Sequence, residues 1–482
     1  MKMDPTPASH NMRPVKPENA TTPSLFSLLF ATLAFASGGA GCSSDAGGMP
    51  SGMGGMGGGM QTYNFAWDWV GVVGTGQSLS VGDHAAAALA ITQPYNNLKL
   101  AFGGATVAPP FDPNIATLAM APLTEPLRTL ANSYPSAYPA NLYGETPHAA
   151  MANQLTAMAM QAAAHDYVTA HTVVGESGQP LTVIKKNPTN LPTDGTSGRA
   201  YDATLFEATA IKRLAGAAGK TYGIGGIVLT HGESDAGNLN YGNDIYQLLT
   251  DYNTDLSAIT GQTAKIPMFV SQQNSVPMDT GSVSISAVQV WKAGLAHPGE
   301  IVCTGPKYQY SYAADGGHVH MGALEYEKVG EKYAQVYFER VVAGHDWQPL
   351  QPTSATLSGA VVTVKFHVPV PPLVWDTVLP APHGSLIPDW AAGKGFELLS
   401  SGVRVVISSV EIVGDDTVKI TANKDLSGTE VTVGYAATAE GGTPPAAQTF
   451  RWGLLRDSDP FVGSVTQAAQ PNYCVAFQMT AM

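Results

Sequence analysis

The sequence predicts an α/β domain followed by an antiparallel β-domain. In the first part of the chain, short apolar runs rich in β-branched residues alternate with amphipathic stretches, as in parallel sheets covered by helices on both faces. After His345 the apolar residues instead follow a strict alternation, which indicates strands with one buried face. The apolar runs of the first part are Trp69–Val73, Thr172–Val174, Ile224–Leu229, Met268–Val270 and Ile301–Val302.

Helices are predicted between these runs. An apolar stripe with the spacing i, i+3, i+4, i+7 and i+11 lies within residues 245–256, and such a stripe is typical of one buried helix face. A second stripe joins Tyr326, Val329, Tyr333, Val336 and Tyr337, and residues 150–164, rich in Met and Ala, predict a third helix.

The alternation after His345 predicts strands. Val362, Val364 and Phe366 alternate with polar residues, and the same pattern returns around Val418 and Val431. Turn residues separate these segments. We therefore predict an α/β domain over residues 63–345 and a β-sandwich accessory domain over residues 346–482.

The N-terminal region has the order of a secretory signal. Basic residues precede an apolar run from Leu25 to Phe35, and small residues then lead to Cys42. The run is too short to span a bilayer as a mature helix. We predict a signal peptide over 1–41, with Cys42 placed like the lipidated Cys of bacterial lipoproteins. The alternative is a plain signal peptide cleaved nearby. Residues 42–62, rich in Gly, Met and Ser, predict a flexible tether.

The net charge limits the possible binding partners, and the cysteine content leaves two alternatives for a disulfide. The formal net charge of −13 argues against nucleic-acid binding, which requires a basic patch. If Cys42 carries lipid, Cys303 and Cys474 remain. In an exported protein they either pair as a disulfide or stay as two separate buried thiols.

A candidate nucleophile follows the first predicted strand. Ser78 lies in a Gly-rich turn, Gly74 to Ser80, where a strand passes into a helix. Ligands bind at this edge of open α/β sheets, and helix N-terminal amides there stabilise developing negative charge. The segment lacks the spacing of phosphate-binding loops.

A candidate acid–base pair lies near the end of the α/β part. Asp315 and His318 stand three residues apart in one turn before a predicted helix. A serine hydroxyl needs a base, and an imidazole serves best when a carboxylate fixes its tautomer. The alternative is an Asp that caps the helix beside a surface His.

A third polar cluster follows the run Ile224–Leu229. It contains His231, Glu233, Ser234 and Asp235. A metal site formed by His231 and Glu233 with one of the later histidines is the alternative here, but no helical zinc-binding spacing is present. We therefore predict no metal and no cofactor.

Together these segments resemble the SGNH hydrolases, and among them the sialate O-acetylesterase-like group related to carbohydrate esterase family six. The four matching blocks are Gly76-Gln77-Ser78, Gly175-Glu176-Ser177-Gly178, His231-Gly232-Glu233-Ser234-Asp235, and Asp315 to His318. They occur in the family's order over residues 64–343. The resemblance implies a flavodoxin-like three-layer α/β/α fold.

The resemblance also implies roles for individual residues. Ser78 would attack the ester carbonyl, His318 would accept its proton, and Asp315 would orient His318. The oxyanion hole would consist of the amides of Ser78 and Gly178 with a side-chain donor from the third block. The family usually has Asn or Gln at that place, and this chain has His231. Gln77 and Glu233 would support these groups.

Alternative residues exist for two of these roles, the nucleophile and the base. Ser80 is the second candidate nucleophile, and His320 is the alternative base. The resemblance implies O-acetyl esters of poly- or oligosaccharides as substrates. Two rival hypotheses are a broad-specificity lipase or arylesterase on the same triad, and a non-catalytic glycan-binding surface protein. We expect an exported protein at the bacterial surface, in the periplasm or outside the cell, with membrane attachment through Cys42.

Overall fold

The structure is a computed structural model of the chain. It describes residues 62–482 apart from 105, 106, 108, 128–143, 188–196, 275–280, 313–318, 385 and 440–450. The predicted signal peptide, Cys42, Asp315 and His318 therefore lie outside the described residues.

A seven-stranded sheet forms the centre of the α/β part. Its strands are β1 (Trp69–Gly76), β2 (Leu98–Ala101), β3 (Ala119–Pro122), β4 (Thr169–Gly175), β5 (Tyr222–Thr230), β6 (Met268–Gln272) and β7 (Ile301–Pro306). They lie in the order β3-β2-β4-β1-β5-β6-β7, and all are parallel except β3, which runs antiparallel to β2. Every residue of β4 and β5 is buried, which explains their continuous apolar runs.

Helices cover both faces of this sheet. They are α1 (Pro147–Ala163), α2 (Leu181–Ile184), α3 (Arg199–Ala217), α4 (Tyr241–Thr260), α5 (Ile285–Ala296) and α6 (Ala323–Tyr337). Buried side chains of α3, α4 and α5 share one hydrophobic cluster, and those of α1 and α6 share another on the opposite face. The predicted α/β architecture is confirmed, and the buried stripe of α4 is the one that the sequence indicated.

The start of α1 shows how the sequence begins a helix. The Thr146 hydroxyl accepts a hydrogen bond from the amide of His148 at 3.1 Å, and Pro147 occupies the first helical position. The first amides of a helix have no partner within the helix, so this cap satisfies one of them. Pro fits there because it has no N–H and its φ angle is already helical.

The C-terminal part is built from antiparallel strands. They are β8 (Gln351–Ser358), β9 (Val361–His367), β10 (Val374–Trp375), β11 (Phe396–Ser400), β12 (Val403–Arg404), β13 (Ile407–Val413), β14 (Thr417–Ala422), β15 (Val431–Tyr435), β16 (Leu455–Arg456) and β17 (Phe477–Ala481). Two four-stranded sheets have the orders β13-β14-β9-β8 and β12-β11-β15-β17, and β10 pairs with β16. The predicted antiparallel part is thus confirmed, whereas its arrangement as a sandwich and the division at residue 345 stay predictions.

The C-terminal strands pack directly on the α/β part. The Trp291 ring of α5 lies 5.8 Å from the Phe477 ring of β17, centroid to centroid. The Gln272 side chain exchanges two hydrogen bonds of 2.8 Å with the backbone of Ala476. These contacts make the last strand part of the hydrophobic cluster that covers one face of the central sheet.

Cys303 and Cys474 are separate buried thiols, which is the second of the two alternatives that the sequence left open. Burial raises the pKa of Cys303 to about 12 and raises that of Cys474 as well, so both remain protonated and inert. Among the described helices, none combines the length and apolar character that crossing a membrane requires.

Two buried glutamates, Glu125 and Glu145, form hydrogen bonds with the segment after β1 and with the start of α1. The Glu145 carboxylate accepts hydrogen bonds from the amides of Leu89 and Ala90 at 2.6 and 3.0 Å. Glu125 accepts one from the Thr146 hydroxyl at 2.5 Å. Burial, and then the nearby charge of Glu145, raise the pKa of Glu125 to about 8, and burial raises the pKa of Glu145 in the same direction.

Because Glu125 is buried beside Glu145, we expect the free energy of unfolding to fall as the pH rises. The Glu125 carboxyl has a pKa of 4.5 in its ordinary state and about 8 in the fold, so the folded chain keeps a proton that the unfolded chain has lost. The fold therefore loses stability between these two pH values and no further above them. Glu125→Gln cannot lose the proton. We expect it to be more stable than wild type by at least about 2 kcal/mol at alkaline pH, with little difference at about pH 5, because a pKa difference of one corresponds to about 1.4 kcal/mol.

Urea unfolding between about pH 5 and pH 9 measures this difference. Glu411→Gln is the matched control. The Glu411 side chain is 61% exposed, and its Oε1 lies 3.2 Å from the Lys419 Nζ at the surface. Parallel stability curves for wild type and Glu125→Gln would contradict the buried-proton interpretation.

Candidate active site

Ser78 lies at the carboxyl end of β1, which is the middle strand of the sheet. It begins a single 3-10 turn, Ser78–Ser80, and is 4% exposed. The turn is possible because Gly76 has a φ of +139°, and a Cβ there would lie 2.1 Å from the Thr230 carbonyl oxygen of β5. Only glycine fits this approach of two strand ends. The backbone thus places Ser78 at the edge where α/β proteins bind ligands.

The second block packs against the first. The amide of Glu176 donates to the carbonyl of Gly76 at 3.0 Å. A Cβ on Gly175 would lie 2.5 Å from the Ser80 hydroxyl, so the two turns touch without an intervening side chain. Arg199 then holds the Glu176 carboxylate with two hydrogen bonds of 2.8 and 3.0 Å. This bidentate pair fixes the turn that carries Gly178.

Gly178 lies in the exposed turn between Glu176 and Gln179. Its φ is +71°, and the Gln179 amide closes the turn by donating to the Glu176 carbonyl at 3.3 Å. Among the described residues other than its chain neighbours, none has an atom within 4 Å of the position that a Cβ would take. The role of Gly178 in the oxyanion hole stays a prediction.

Gln77 joins the first block to the third. Its side-chain oxygen accepts a hydrogen bond from the backbone amide of Ser234 at 3.1 Å. Its backbone amide donates to the Thr230 carbonyl at 3.3 Å. The residue is 2% exposed. This bridge fits the supporting position that the motif resemblance implies for Gln77.

Ser80, the alternative nucleophile, has its hydroxyl engaged. The Oγ donates to the carbonyl of Gln77 at 2.7 Å, and the residue is 1% exposed. To attack a substrate, the Ser80 hydroxyl would have to give up this hydrogen bond and leave its packing against Gly175. The geometry therefore favours Ser78 over Ser80.

His231 is a buried link between the second and third blocks. Its Nδ1 lies 2.8 Å from the Tyr241 hydroxyl and its Nε2 lies 3.0 Å from the Gln179 carbonyl oxygen. Burial lowers the pKa of His231, so the ring is neutral and carries one N–H. The carbonyl oxygen can only accept, so that N–H points to Gln179. An oxyanion role for His231 stays a prediction, and it would require the ring to release this carbonyl.

Glu233 forms a buried ion pair behind the third block. Its Oε1 lies 2.8 Å from the Lys307 ammonium, and both side chains are almost fully buried. Burial alone would raise the pKa of Glu233, but the charge and hydrogen bond of Lys307 outweigh it and hold the pKa below its ordinary value. Glu233 is therefore ionised and paired inside the protein, and its supporting role in the site stays a prediction.

Asp83 was not identified from the sequence, yet it connects three parts of the site. Its amide donates to the Ser78 carbonyl at 3.2 Å, and its carboxylate accepts the Ser177 hydroxyl at 3.0 Å. Its own carbonyl accepts the Tyr326 hydroxyl of α6 at 3.1 Å. The only sequence signal was an Asp five residues after the candidate nucleophile.

His320, the alternative base, lies beside Asp83. Its Nε2 is 4.0 Å from the Asp83 carboxylate, and its ring stacks on that of His84 with centroids 4.4 Å apart. The His320 side chain is 14% exposed. The structure thus brings His320, two residues after the fourth block, to Asp83 and His84, which follow the turn of Ser78. Asp315 and His318 belong to the segment outside the described residues.

Comparisons with known proteins show the fold. Neither a protein-family model nor a curated protein matches the sequence. Among solved structures, the chain is similar to XAC1771, a carbohydrate acetylesterase from Xanthomonas citri, with a TM-score of 0.52 and 14% identity over 85% of this chain and 80% of that one.

Weaker similarities cover about half of the chain. A protein from Arabidopsis thaliana has 15% identity over 56% of this chain and 98% of its own, with a TM-score of 0.39. A carbohydrate acetylesterase from Sinorhizobium meliloti has 11% identity over 55% and 97%, with a TM-score of 0.29. The Xanthomonas likeness extends beyond the central sheet into the antiparallel part, and this chain shares its overall fold with that carbohydrate acetylesterase.

Proposed function

We propose that this chain is an exported carboxylic ester hydrolase that removes O-acetyl groups from carbohydrates, with Ser78 as its nucleophile. The observation that carries the proposal is the convergence of the first three motif blocks on the turn of Ser78, at the carboxyl end of the central strand. The fold shared with a carbohydrate acetylesterase over 85% of this chain supports the substrate class.

The first half of the reaction forms an acyl-enzyme. The Ser78 hydroxyl oxygen attacks the carbonyl carbon of the acetyl ester while an imidazole of the fourth block takes its proton. The tetrahedral oxyanion is stabilised by the amides of Ser78 and Gly178. The imidazolium then gives the proton to the sugar oxygen, the ester C–O bond breaks, and the sugar leaves as an alcohol.

The second half repeats these steps with water. The imidazole takes a proton from water, the resulting hydroxide attacks the acyl carbon, and the proton returns to the Ser78 oxygen as acetate leaves. Asp315 orients the imidazole of His318 and stabilises its charged form. Gln77 and Glu233 hold the surrounding turns in place through their contacts with Ser234 and Lys307.

Several features suit a bulky substrate at the cell surface. The turn of Ser177 and Gly178, which follows the strand beside that of Ser78, is accessible, with Gly178 exposed and Ser177 half-buried. The signal-like N-terminus would deliver the enzyme to exported glycans, and lipid on Cys42 would retain it at the membrane. An acyl-chain series on a simple ester separates an acetylesterase from a broad-specificity lipase or arylesterase.

Removing the nucleophile should abolish the reaction. We expect Ser78→Ala to lose acetate release from acetylated xylan and from p-nitrophenyl acetate by at least about 10³-fold, because the acyl-enzyme can no longer form. Ser80→Ala is the matched control, two residues along the same turn. It should keep the hydrolysis within about tenfold, because its hydroxyl supports the turn without attacking the ester. Activity that persists in Ser78→Ala but not in Ser80→Ala would refute the assignment.

The identity of the base is tested by His318, in the fourth block, and His320, two residues after it. We expect removal of the base to lower kcat by at least about 10³-fold with KM nearly unchanged, since the base acts in the transition state. His318→Ala and His320→Ala are measured side by side, together with Asp315→Asn. If both histidine variants keep most of the activity, a base in this block is excluded.

A further inference from the structure

A cluster of three metal-ligating side chains lies beside the turn of Ser78. Asp83, His84 and His320 each offer one ligand atom, and these atoms all lie within 4.8 Å of one another. The proposed ester hydrolysis assigns no role to His84, and Asp83 serves it only as a connector. We infer that these three residues form a site for a divalent first-row transition metal such as Zn²⁺, and that occupation of this site blocks ester hydrolysis. The second half of this inference rests on the proposed function, whereas metal binding does not.

The distances fit a tetrahedral ion after a small movement. Zn²⁺ binds nitrogen and carboxylate oxygen at about 2.0–2.2 Å, so two ligands of one ion lie about 3.3–3.5 Å apart. His84 Nδ1 and Asp83 Oδ1 are 3.1 Å apart, close to this spacing. His320 Nε2 is 4.0 Å from Asp83 Oδ2, the other oxygen of that carboxylate, and the three ligand atoms lie within 4.8 Å of one another, so the side chains must move closer to share one ion.

Of the three side chains, that of His84 is the one with room to turn toward a shared ion. Its side chain is 41% exposed, whereas those of Asp83 and His320 are 13% and 14% exposed. The two imidazole rings stack at an angle of 16°, so one ring must turn before both nitrogens can point to a single ion. The exposed ring of His84 can turn at little cost, while the Ser177 hydroxyl holds the Asp83 carboxylate in place.

The backbone conformation of His84 directs its side chain toward the other two ligands. His84 has a φ of +62°, a left-handed conformation that is uncommon outside Gly and that Asn, Asp and His adopt more often than other residues. Such a conformation persists where the surrounding structure requires it. Here it presents the imidazole to Asp83 and His320.

The ligand set selects among cations. Two imidazoles and one carboxylate suit Zn²⁺, Ni²⁺ or Cu²⁺, whereas Mg²⁺ and Ca²⁺ require oxygen ligands. An ion bound here would hold Asp83, whose amide bonds the Ser78 carbonyl, and would occupy a ring nitrogen of His320. Because His320 is the alternative base and the amide of Asp83 is bonded to Ser78, an ion held by both side chains would obstruct proton transfer from Ser78.

Isothermal titration calorimetry of the full, chelator-treated chain with ZnCl₂ tests the site. We expect one ion per chain, no heat with MgCl₂, and binding weakened at least about tenfold in His84→Asn, since even changes outside the ligand shell cost about 10–100-fold. Asn tolerates the left-handed conformation, so this variant should fold, which its thermal unfolding verifies. His345→Asn is the matched control, because His345 is likewise an exposed histidine beside a carboxylate, that of Glu339.

Two further measurements separate the parts of the inference. Ser78→Ala should bind Zn²⁺ like wild type, so the site can be tested even if the chain hydrolyses no ester. Zn²⁺ should inhibit acetate release, with a midpoint that shifts at least about tenfold in His84→Asn relative to that variant's own metal-free rate. Absence of saturable binding, or equal affinity in His84→Asn and His345→Asn, would overturn the site. Binding without inhibition would overturn its effect on hydrolysis.

Discussion

The candidate site depends on the contact between three strand ends at Gly76. The backbone of Gly76 touches the end of β5 at Thr230 and the second block at Gly175, with no room for a side chain between them. Because β4, β1 and β5 are neighbours in the sheet, their following turns meet at one point. A methyl group at Gly76 would push these turns apart, and Gln77 and Ser78 would move with them.

Buried charges give the turns their fixed geometry. Glu176 is paired with Arg199, and Glu233 with Lys307, and each pair follows directly after a central strand. Burying such groups costs several kcal/mol per ion, which their attraction offsets only when the geometry is good. These pairs therefore contribute little net stability, but breaking one would leave an unpaired charge in the protein. That penalty keeps each turn in one conformation.

Much of the fold could be predicted from local patterns, whereas the contacts of the site could not. Apolar runs located β1 and β4–β7 because these strands are buried on both faces, and the stripe of α4 identified its core side. β2 and β3 were missed because they are short and lie toward the sheet edge. Their residues, such as Ala119 and Pro122, have low strand propensity.

Within the site, the sequence identified the turns but not their cross-connections. Ser78 was recognisable from a Gly-rich turn after a strand. The contact between Asp83 and His320 spans more than two hundred residues, and no periodicity reports it. For His231 the residue type suggested a donor, but its donor capacity depends on the Gln179 carbonyl, which only the fold brings close.

The pairing of Gln272 with Ala476 has a consequence for how the protein is made. These residues are 204 positions apart, and both hydrogen bonds between them are buried. During synthesis, β6 therefore emerges long before its side-chain partner exists, and the apolar face of α5 that carries Trp291 lacks its contact with Phe477 in the meantime. Contacts of such sequence separation slow folding, since the intervening loop must close before they form. A chaperone that shields this face during biogenesis would act in that interval.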